Sequence, residues 1–215
     1  MSKEIAIVFG ASGFLGSHVA EALSSDGYQV RLFDCTPSDF KRGDQEMIVG
    51  DIMNLEDVTK AIQGASVVYN FAAIADIDEA NEKPLATAEV NILGNMNVLE
   101  ASRLSGVRRF IFASSVYVYS ESGSFYRASK QAAERFIETY QDRYGLDYTI
   151  LRYGSLYGRR TDDRNGIYRM LHEAIEQRSI TYKGSGEAIR EYIHVEDAAR
   201  MSVQVLAPEF ANRHL

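Results

Sequence analysis

Short apolar segments alternate along the chain with longer segments in which apolar residues recur at helical spacing. The short segments predict β-strands at residues 5–9, 29–33, 46–49, 66–71, 109–113 and 148–152. The longer segments predict helices at residues 14–25, 55–63, 84–105 and 125–144. Several of the strands are apolar on both faces, as buried parallel strands are. The alternation therefore predicts an α/β fold with a doubly wound parallel sheet.

The pattern changes after residue 158. Downstream we expect a polar loop at 159–165, a helix at 166–177, a short strand at 180–182, an apolar segment at 189–195 and a helix at about 196–206. Another strand is expected to begin at residues 212–215. The change in rhythm predicts a second, smaller unit that begins near residue 159.

The composition is typical of a globular protein from a reducing compartment. Of the 215 residues, 46% are hydrophobic and 25% are charged, and the net charge of −7 disfavours nucleic acid or an anionic membrane as a partner. Cys35 is the single cysteine, so no internal disulfide can form, and we expect it to be a small buried residue. No apolar run approaches the roughly 20 residues of a membrane span. The single cysteine and the lack of a long apolar run predict a cytoplasmic protein. The four histidines lack ligand spacing, so no metal site is predicted.

Three glycines follow the first predicted strand and open the first predicted helix. Gly10, Gly13 and Gly16 lack side chains, which allows a tight turn and a close approach of the backbone to a pyrophosphate at the helix N-terminus. Their spacing is G-x-x-G-x-x-G rather than the usual G-x-G-x-x-G, and a glycine turn without a ligand is the alternative. The position between strand and helix favours dinucleotide binding. The residues assigned to the cofactor phosphates are Gly10, Ser12, Gly13, Phe14, Leu15 and Gly16.

Acidic residues end the next two strands. Asp34 lies 18 positions after Gly16, where a carboxylate accepts hydrogen bonds from ribose hydroxyls and repels a 2′-phosphate. It therefore favours NAD over NADP, although it could instead cap the following loop. Asp51, after the third strand, could contact the adenine or cap a helix. Three nearby cations keep NADP open as an alternative: Arg31, Lys41 and Arg42.

A tyrosine and a lysine lie four positions apart at the start of a predicted helix. Tyr126 and Lys130 therefore point to the same side, and an ammonium beside a phenol lowers the phenol pKa from about 10. A shift to about 7 needs about 4 kcal/mol, which requires a buried lysine together with the positive nicotinamide of NAD⁺. Ser114 and Ser115 follow the fifth strand, at the sheet edge where open α/β folds bind ligands. They could orient a substrate oxygen, or they could simply cap the strand.

Together these residues resemble the extended short-chain dehydrogenase/reductase superfamily, specifically its NAD-dependent epimerase/dehydratase branch, which acts on nucleotide sugars. The resemblance runs from Ile5 to about Leu206. Besides the glycine turn and the Tyr–Lys pair, it is carried by Asn-Phe-Ala-Ala at 70–73, Val-Asn-Ile-Leu-Gly at 90–94 and Ser-Ser-Val-Tyr-Val-Tyr at 114–119. Two later segments are also similar: Leu-Arg-Tyr-Gly-Ser-Leu-Tyr-Gly at 151–158 and Arg-Glu-Tyr-Ile-His-Val-Glu-Asp at 190–197.

The resemblance implies roles for individual residues. Ser115 is the expected catalytic serine and Tyr126 the general acid and base, while Lys130 binds the nicotinamide ribose and tunes the tyrosine. Further cofactor contacts are implied at Ile52, Phe71, Ala72, Ala73, Asn91, Ser114 and Tyr153. Arg190 is implied to pair with the substrate diphosphate, with Ser155 as a second substrate contact. Residues 1–158 then form a Rossmann-type NAD-binding domain, and residues 159–215 a partial, apparently truncated substrate lobe that returns to the core.

Departures from the family pattern favour epimerisation. Val116 and Tyr117 follow Ser115, where the family dehydratases carry an Asp-Glu pair that assists elimination of water. We therefore expect a nucleotide-sugar epimerase that acts at C4 on a UDP- or dTDP-linked sugar. Since relatives often dimerise in this way, the resemblance also implies a homodimer through helices 84–105 and 125–144. Relatives continue beyond the segment that ends at Asp197. The alternatives are an NAD-dependent sugar-nucleotide reductase or dehydrogenase and a non-catalytic NAD-binding regulatory protein.

Overall fold

The computed structural model describes residues 3–181, 189 and 191–215. These residues form a seven-stranded parallel sheet with the strand order β3-β2-β1-β4-β5-β6-β9. The strands are β1 (Ile5–Phe9), β2 (Gln29–Asp34), β3 (Glu46–Val49), β4 (Val67–Asn70), β5 (Arg109–Ser115), β6 (Tyr148–Tyr153) and β9 (Arg213–His214). The first six follow the doubly wound order 3-2-1-4-5-6. The predicted fold class and its six main strands are therefore confirmed.

Helices cover both faces of the sheet and enclose two apolar cores. They are α1 (Phe14–Ser25), α2 (Leu55–Ile62), α3 (Ile77–Glu82), α4 (Pro84–Ala88), α5 (Asn95–Leu104), α6 (Ser124–Tyr144), α7 (Gly166–Gln177) and α8 (Val195–Gln204). One core packs α2, α5 and α6 against the sheet, and the other packs α1 and α8 against the opposite face. Strands β1, β4 and β5 are almost completely buried, which explains why their sequences are apolar on both faces.

The single helix predicted at residues 84–105 is wrong in detail. A π-helical turn at Glu89–Gly94 separates α4 from α5. Its wider winding places the Asn91 side chain inward, where Oδ1 accepts from Ile74 N at 2.8 Å and Nδ2 donates to Ser129 Oγ at 2.9 Å. Such turns occur mostly as local bulges and often mark functional sites. The preceding helix α3 was not predicted, although Asp76 caps its N-terminus.

The C-terminal part partly agrees with the sequence patterns. Strands β7 (Ser155–Tyr157) and β8 (Tyr192–His194) form a separate two-stranded parallel sheet. The strand expected near residue 212 is confirmed by β9, which pairs with β6. The strand predicted at 180–182 is wrong for Ile180 and Thr181, which are not in a strand, and Tyr182 lies outside the described residues. The single cysteine, Cys35, is exposed rather than buried.

Among the residues that the structure describes, no helix is both long enough and apolar enough to cross a membrane.

Two glycines fix how closely helix α1 approaches strand β1. A Cβ atom on Gly16 would lie 2.2 Å from the carbonyl oxygen of Gly10, a distance that real Cβ atoms do not adopt. Gly10 itself has φ +76° and lies against the backbone of Ala72. The turn therefore requires glycine at both positions.

Gly16→Ala should lower the free energy of unfolding, because the new methyl group can be accommodated only by moving backbone. We expect a loss of about 2 kcal/mol or more in urea unfolding. Gly43→Ala is the matched control, since a Cβ there meets no atom within 4 Å. Equal stability of the two variants would contradict the packing described for the turn.

Candidate active site

A cleft of about 820 Å³ opens at the carboxyl edge of the parallel sheet. This is the edge at which ligands bind in open α/β folds. Thirteen of the residues predicted from the sequence line it: Gly10, Ser12, Gly13, Phe14, Leu15, Gly16, Phe71, Ala73, Ser114, Ser115, Tyr126, Lys130 and Tyr153. The structure thus places the glycine turn and the Ser, Tyr and Lys side chains in a single cavity.

The turn at one end of the cleft fits a diphosphate. Helix α1 starts after Gly13 with no side-chain cap and no acidic residue in its first turn. Its first N–H groups are therefore left for a negatively charged ligand, whose charge is favoured by the helix dipole. Because Gly10, Gly13 and Gly16 carry no Cβ atoms, a phosphate can approach this backbone closely.

Asp34 lies at the end of β2 beside the turn. Its Oδ2 accepts a hydrogen bond from Ser12 N at 2.8 Å, so the carboxylate helps to shape the turn. Asp34 is still partly exposed, and its role toward a ribose stays a prediction. Asp51 is exposed and accepts from Met53 N at 2.9 Å, but the following helix α2 is capped by Asn54. The helix-cap alternative for Asp51 is therefore wrong, and its contact with adenine stays a prediction. Ile52 is buried beneath Gly94.

Tyr126 lies in the first turn of α6, half-buried at the opposite end of the cleft. Burial raises the pKa of its phenol, while a hydrogen-bonding interaction with the Ser115 side chain partly lowers it. Ser115 ends β5 and its Oγ accepts from Tyr117 N at 3.3 Å. A serine hydroxyl and a tyrosine phenol therefore face the same space, which is the arrangement needed to bind and deprotonate an alcohol.

Lys130, one helical turn after Tyr126, is only 3% exposed. Its Nζ donates to the carbonyl oxygen of Ala113 at 2.7 Å and lies 5.7 Å from the centre of the Tyr126 ring. Burial lowers the pKa of Lys130 to about 8, and the Glu134 carboxylate opposes this. The lysine is buried, as the expected tuning of the phenol requires. In the chain without a cofactor, desolvation is the largest effect and raises the pKa of Tyr126, so the lowering expected with the nicotinamide present stays a prediction.

Ser114 belongs to a charged network behind the cleft. Its Oγ donates to Glu134 Oε1 at 2.6 Å, and Arg152 pairs with the same carboxylate at 2.9 and 2.7 Å. These contacts outweigh burial and keep the pKa of Glu134 below its usual range. Arg152 also donates to His214 Nδ1 at 2.7 Å, which ties β9 to the site. The serine hydroxyl therefore has a structural partner within the protein.

Other predicted residues support the cleft from behind or lie outside it. Asn91 is buried and fully used in holding Ile74 and Ser129, and Tyr153 OH bonds to Ser202 Oγ at 2.6 Å. Those predicted to contact ligands that do not line the cleft are Asp34, Asp51, Ile52, Ala72, Asn91 and Ser155. Arg190 lies outside the described residues.

Sequence reasoning missed the residues that close the cleft from the side. The segment after Gly158 and the loop after β2 contribute Phe40, Arg160, Thr161, Asp162, Arg164 and Asn165. A signal was present, since two consecutive arginines follow the similar segment at 151–158. The pattern showed only a polar loop there, and nothing in it revealed that the loop returns to α1.

A family model supports the assignment that this geometry suggests. The model of the NAD dependent epimerase/dehydratase family matches residues 6–214. The chain belongs to this family. The family predicted from the sequence is therefore confirmed, and NAD as its cofactor is confirmed with it.

Individual relatives support the same family assignment. The UDP-glucuronate 4-epimerase of Thermodesulfobacterium geofontis is 27% identical over 94% of this chain and 71% of its own length. The structure of UDP-glucose 4-epimerase from Thermotoga maritima with UDP-glucose has a TM-score of 0.89 and 27% identity, with 98% of this chain and 75% of that one covered. The UDP-glucose 4-epimerase of Thermus thermophilus, solved as a complex with NAD, gives 0.86 and 27%, covering 98% and 76%.

The residues present fit NAD. The uncapped N-terminus of α1 suits its diphosphate, and the buried Lys130 lies at the far end of the same cleft, beside Tyr126. Within the described part of the chain, no three His, Cys, Asp or Glu side chains are grouped so that they could hold a metal ion.

Lys130→Met should change how stability depends on pH. The pKa of Lys130 is about 8 in the folded chain, against about 10.4 for an unfolded lysine. Between these values the unfolded state binds more protons, so the stability of the parent rises with pH. We expect the parent to gain about 2 kcal/mol relative to Lys130→Met between pH 7 and pH 10 in urea unfolding.

Lys41→Met is the control, because Lys41 is exposed and its removal should leave the pH dependence unchanged. A Lys130→Met curve parallel to that of the parent would show that the ammonium is not desolvated.

Proposed function

We propose that this chain is an NAD-dependent nucleotide-sugar epimerase acting at C4. The observation that carries the proposal is the placement of Ser115, Tyr126 and the buried Lys130 in one cleft with the glycine turn. The names of two relatives support the position of the reaction, since both are 4-epimerases of UDP-linked sugars. The names of these two relatives give different sugars, UDP-glucuronate and UDP-glucose. The substrate we propose is therefore a class, the nucleotide-diphosphate sugars, rather than one particular hexose.

NAD, when bound, supplies the acceptor and donor of the hydride that leaves the sugar carbon and returns to its other face. Tyr126 takes the proton of the C4 hydroxyl and later gives it back. Because the hydride also returns to the sugar, no net oxidation results. Ser115 orients that hydroxyl toward the phenol. Lys130 holds positive charge beside the tyrosine, and this charge stabilises the phenolate form.

The absence of an acidic pair after Ser115 supports epimerisation over elimination of water. Val116 is exposed and Tyr117 is half-buried at this position, in a short 3-10 turn. Neither side chain carries a carboxylate, so this turn offers no acid or base for removing a hydroxyl group from the sugar.

Tyr126→Phe should abolish turnover without loss of fold. We expect purified parent protein to invert C4 of at least one sugar in a panel of UDP- and dTDP-linked sugars, followed by NMR. The variant should be slower on that sugar by about 10²–10⁴-fold, the usual contribution of a general acid–base group. Tyr168→Phe, which removes a phenol hydroxyl on α7 from a residue that does not line the cleft, should retain full activity.

The same assay separates the proposal from its alternatives. Net accumulation of NADH absorbance with a nucleotide sugar would identify a dehydrogenase. Tight NAD binding without turnover or binding of any UDP- or dTDP-linked sugar would identify a regulatory protein. Full activity of Tyr126→Phe would contradict the proposed acid–base role.

We also propose that the chain forms a homodimer through α4, α5 and α6. Five large apolar side chains on these helices and the intervening π-helical turn are exposed: Leu85, Leu93, Leu104, Phe125 and Tyr144. Exposed apolar side chains grouped on neighbouring elements are typical of interaction surfaces.

Leu93→Glu should therefore shift the oligomeric state from dimer toward monomer. Light scattering after gel filtration at micromolar concentration measures the change. Leu171→Glu, at an exposed leucine on α7, should leave the mass unchanged. A parent protein with the mass of one chain would refute the dimer.

A further inference from the structure

The segment from Gly158 to Asn165, here called the strap, is fixed beside helix α1. His18 Nε2 lies 3.0 Å from the carbonyl oxygen of Arg159, and the Arg159 side chain pairs with Glu196 at 2.6 Å. The next residue, Arg160, pairs with Glu21 on the third turn of α1. The strap is thus held to α1 and α8, and it borders the cleft that contains the glycine turn.

Arg160 combines an unfavourable backbone conformation with a largely buried side chain. Its backbone has φ +66°, a conformation that residues other than glycine rarely adopt. Its side chain is only 17% exposed, and its guanidinium carbon lies 4.7 Å above the centre of the Phe40 ring. Strained backbone of this kind persists where the surroundings fix it, and it occurs often at ligand sites.

The guanidinium has an unused donor. One terminal nitrogen donates to Glu21. The other, Nη1, is buried and has no acceptor among the described residues. A buried N–H of a charged group without a partner is costly. This cost disappears when a ligand brings an acceptor oxygen to the strap.

Among the described cations that line the cleft, Arg160 is the one that pairs with helix α1, the helix that begins at the glycine turn. Two other described cations also line the cleft. Lys130 donates to the carbonyl oxygen of Ala113 at the catalytic end. Arg164 makes a two-pronged ion pair with Asp162, in which Nε donates to Oδ1 and Nη2 to Oδ2. A diphosphate carries full negative charges, whereas the N-terminus of α1 offers only a partial positive charge. A guanidinium matches phosphate oxygens in charge and geometry.

We propose that Arg160 binds the diphosphate of the dinucleotide cofactor, and that the strap holds it over the glycine turn for this purpose. The inference depends on the cofactor and not on the sugar or on epimerisation. The test is therefore a measurement of cofactor binding, and its result does not depend on whether the chain has epimerase activity.

The experiment compares three ligands by calorimetry on protein freed of nucleotide: NAD, ADP-ribose and adenosine. Arg160→Gln should raise the Kd of NAD and of ADP-ribose by about tenfold or more, because both contain the diphosphate. The Kd of adenosine, which lacks it, should stay within twofold of that of the parent.

Two variants serve as controls. Arg164→Gln removes another arginine that lines the cleft, but one whose guanidinium is engaged by Asp162, and it should bind all three ligands as the parent does. Glu21→Gln breaks the ion pair of the strap but frees the guanidinium of Arg160. It should therefore bind ADP-ribose as tightly as the parent or more tightly.

Two results would overturn the proposal. Equal weakening by Arg160→Gln and Glu21→Gln would show that Arg160 acts only by fixing the strap, and unchanged ADP-ribose binding in Arg160→Gln would show no contact. If Arg160→Gln does not fold, Arg160→Lys replaces it. That variant keeps the positive charge but loses the planar guanidinium group that can donate two hydrogen bonds side by side. ADP-ribose should therefore still bind more weakly than to the parent, and unchanged binding would contradict the proposal.

Discussion

The site depends on keeping an ammonium group in the interior of the protein. Burial of Lys130 disfavours its charged form, and the surrounding contacts offset that cost only in part. The carbonyl oxygen of Ala113 accepts one hydrogen bond, and Glu134 supplies a negative charge one turn further along α6. Glu134 is in turn held by Arg152 and Ser114. The ends of β5 and β6 are therefore organised by a chain of alternating charges.

Features encoded by neighbouring residues could be predicted from the sequence. The strands appear as apolar segments because each is buried on both faces. The glycine turn is encoded within seven residues, Gly10 to Gly16, and the spacing of Tyr126 and Lys130 places both on one side of a helix. Family resemblance then assigned these local patterns to the epimerase/dehydratase family and to NAD, and the family model agrees.

Features that depend on distant contacts could not be predicted. In the π-helical turn, Asn91 bonds to Ile74 and Ser129, 17 and 38 positions away, and no local pattern indicates these partners. Arg160 meets Glu21 across 139 positions, so no periodicity along the chain connects them. The raised pKa of Tyr126 in the chain without a cofactor could not be read from the sequence either, since spacing shows which charges are near a phenol but not how much water the fold removes from it.

The close approach of α1 to β1 has a consequence for how this sequence can change over generations. The atom that would obstruct a side chain at position 16 is the main-chain oxygen of Gly10, and every amino acid carries that oxygen. Replacing residue 10 therefore offers no compensating change for a lost Gly16. In a genetic screen for suppressors of a Gly16 substitution, we expect reversion to glycine at position 16 and no rescue by changes at position 10. A defect at a side-chain contact, such as that of Phe40 with Arg160, can be rescued by substitutions of many neighbouring side chains.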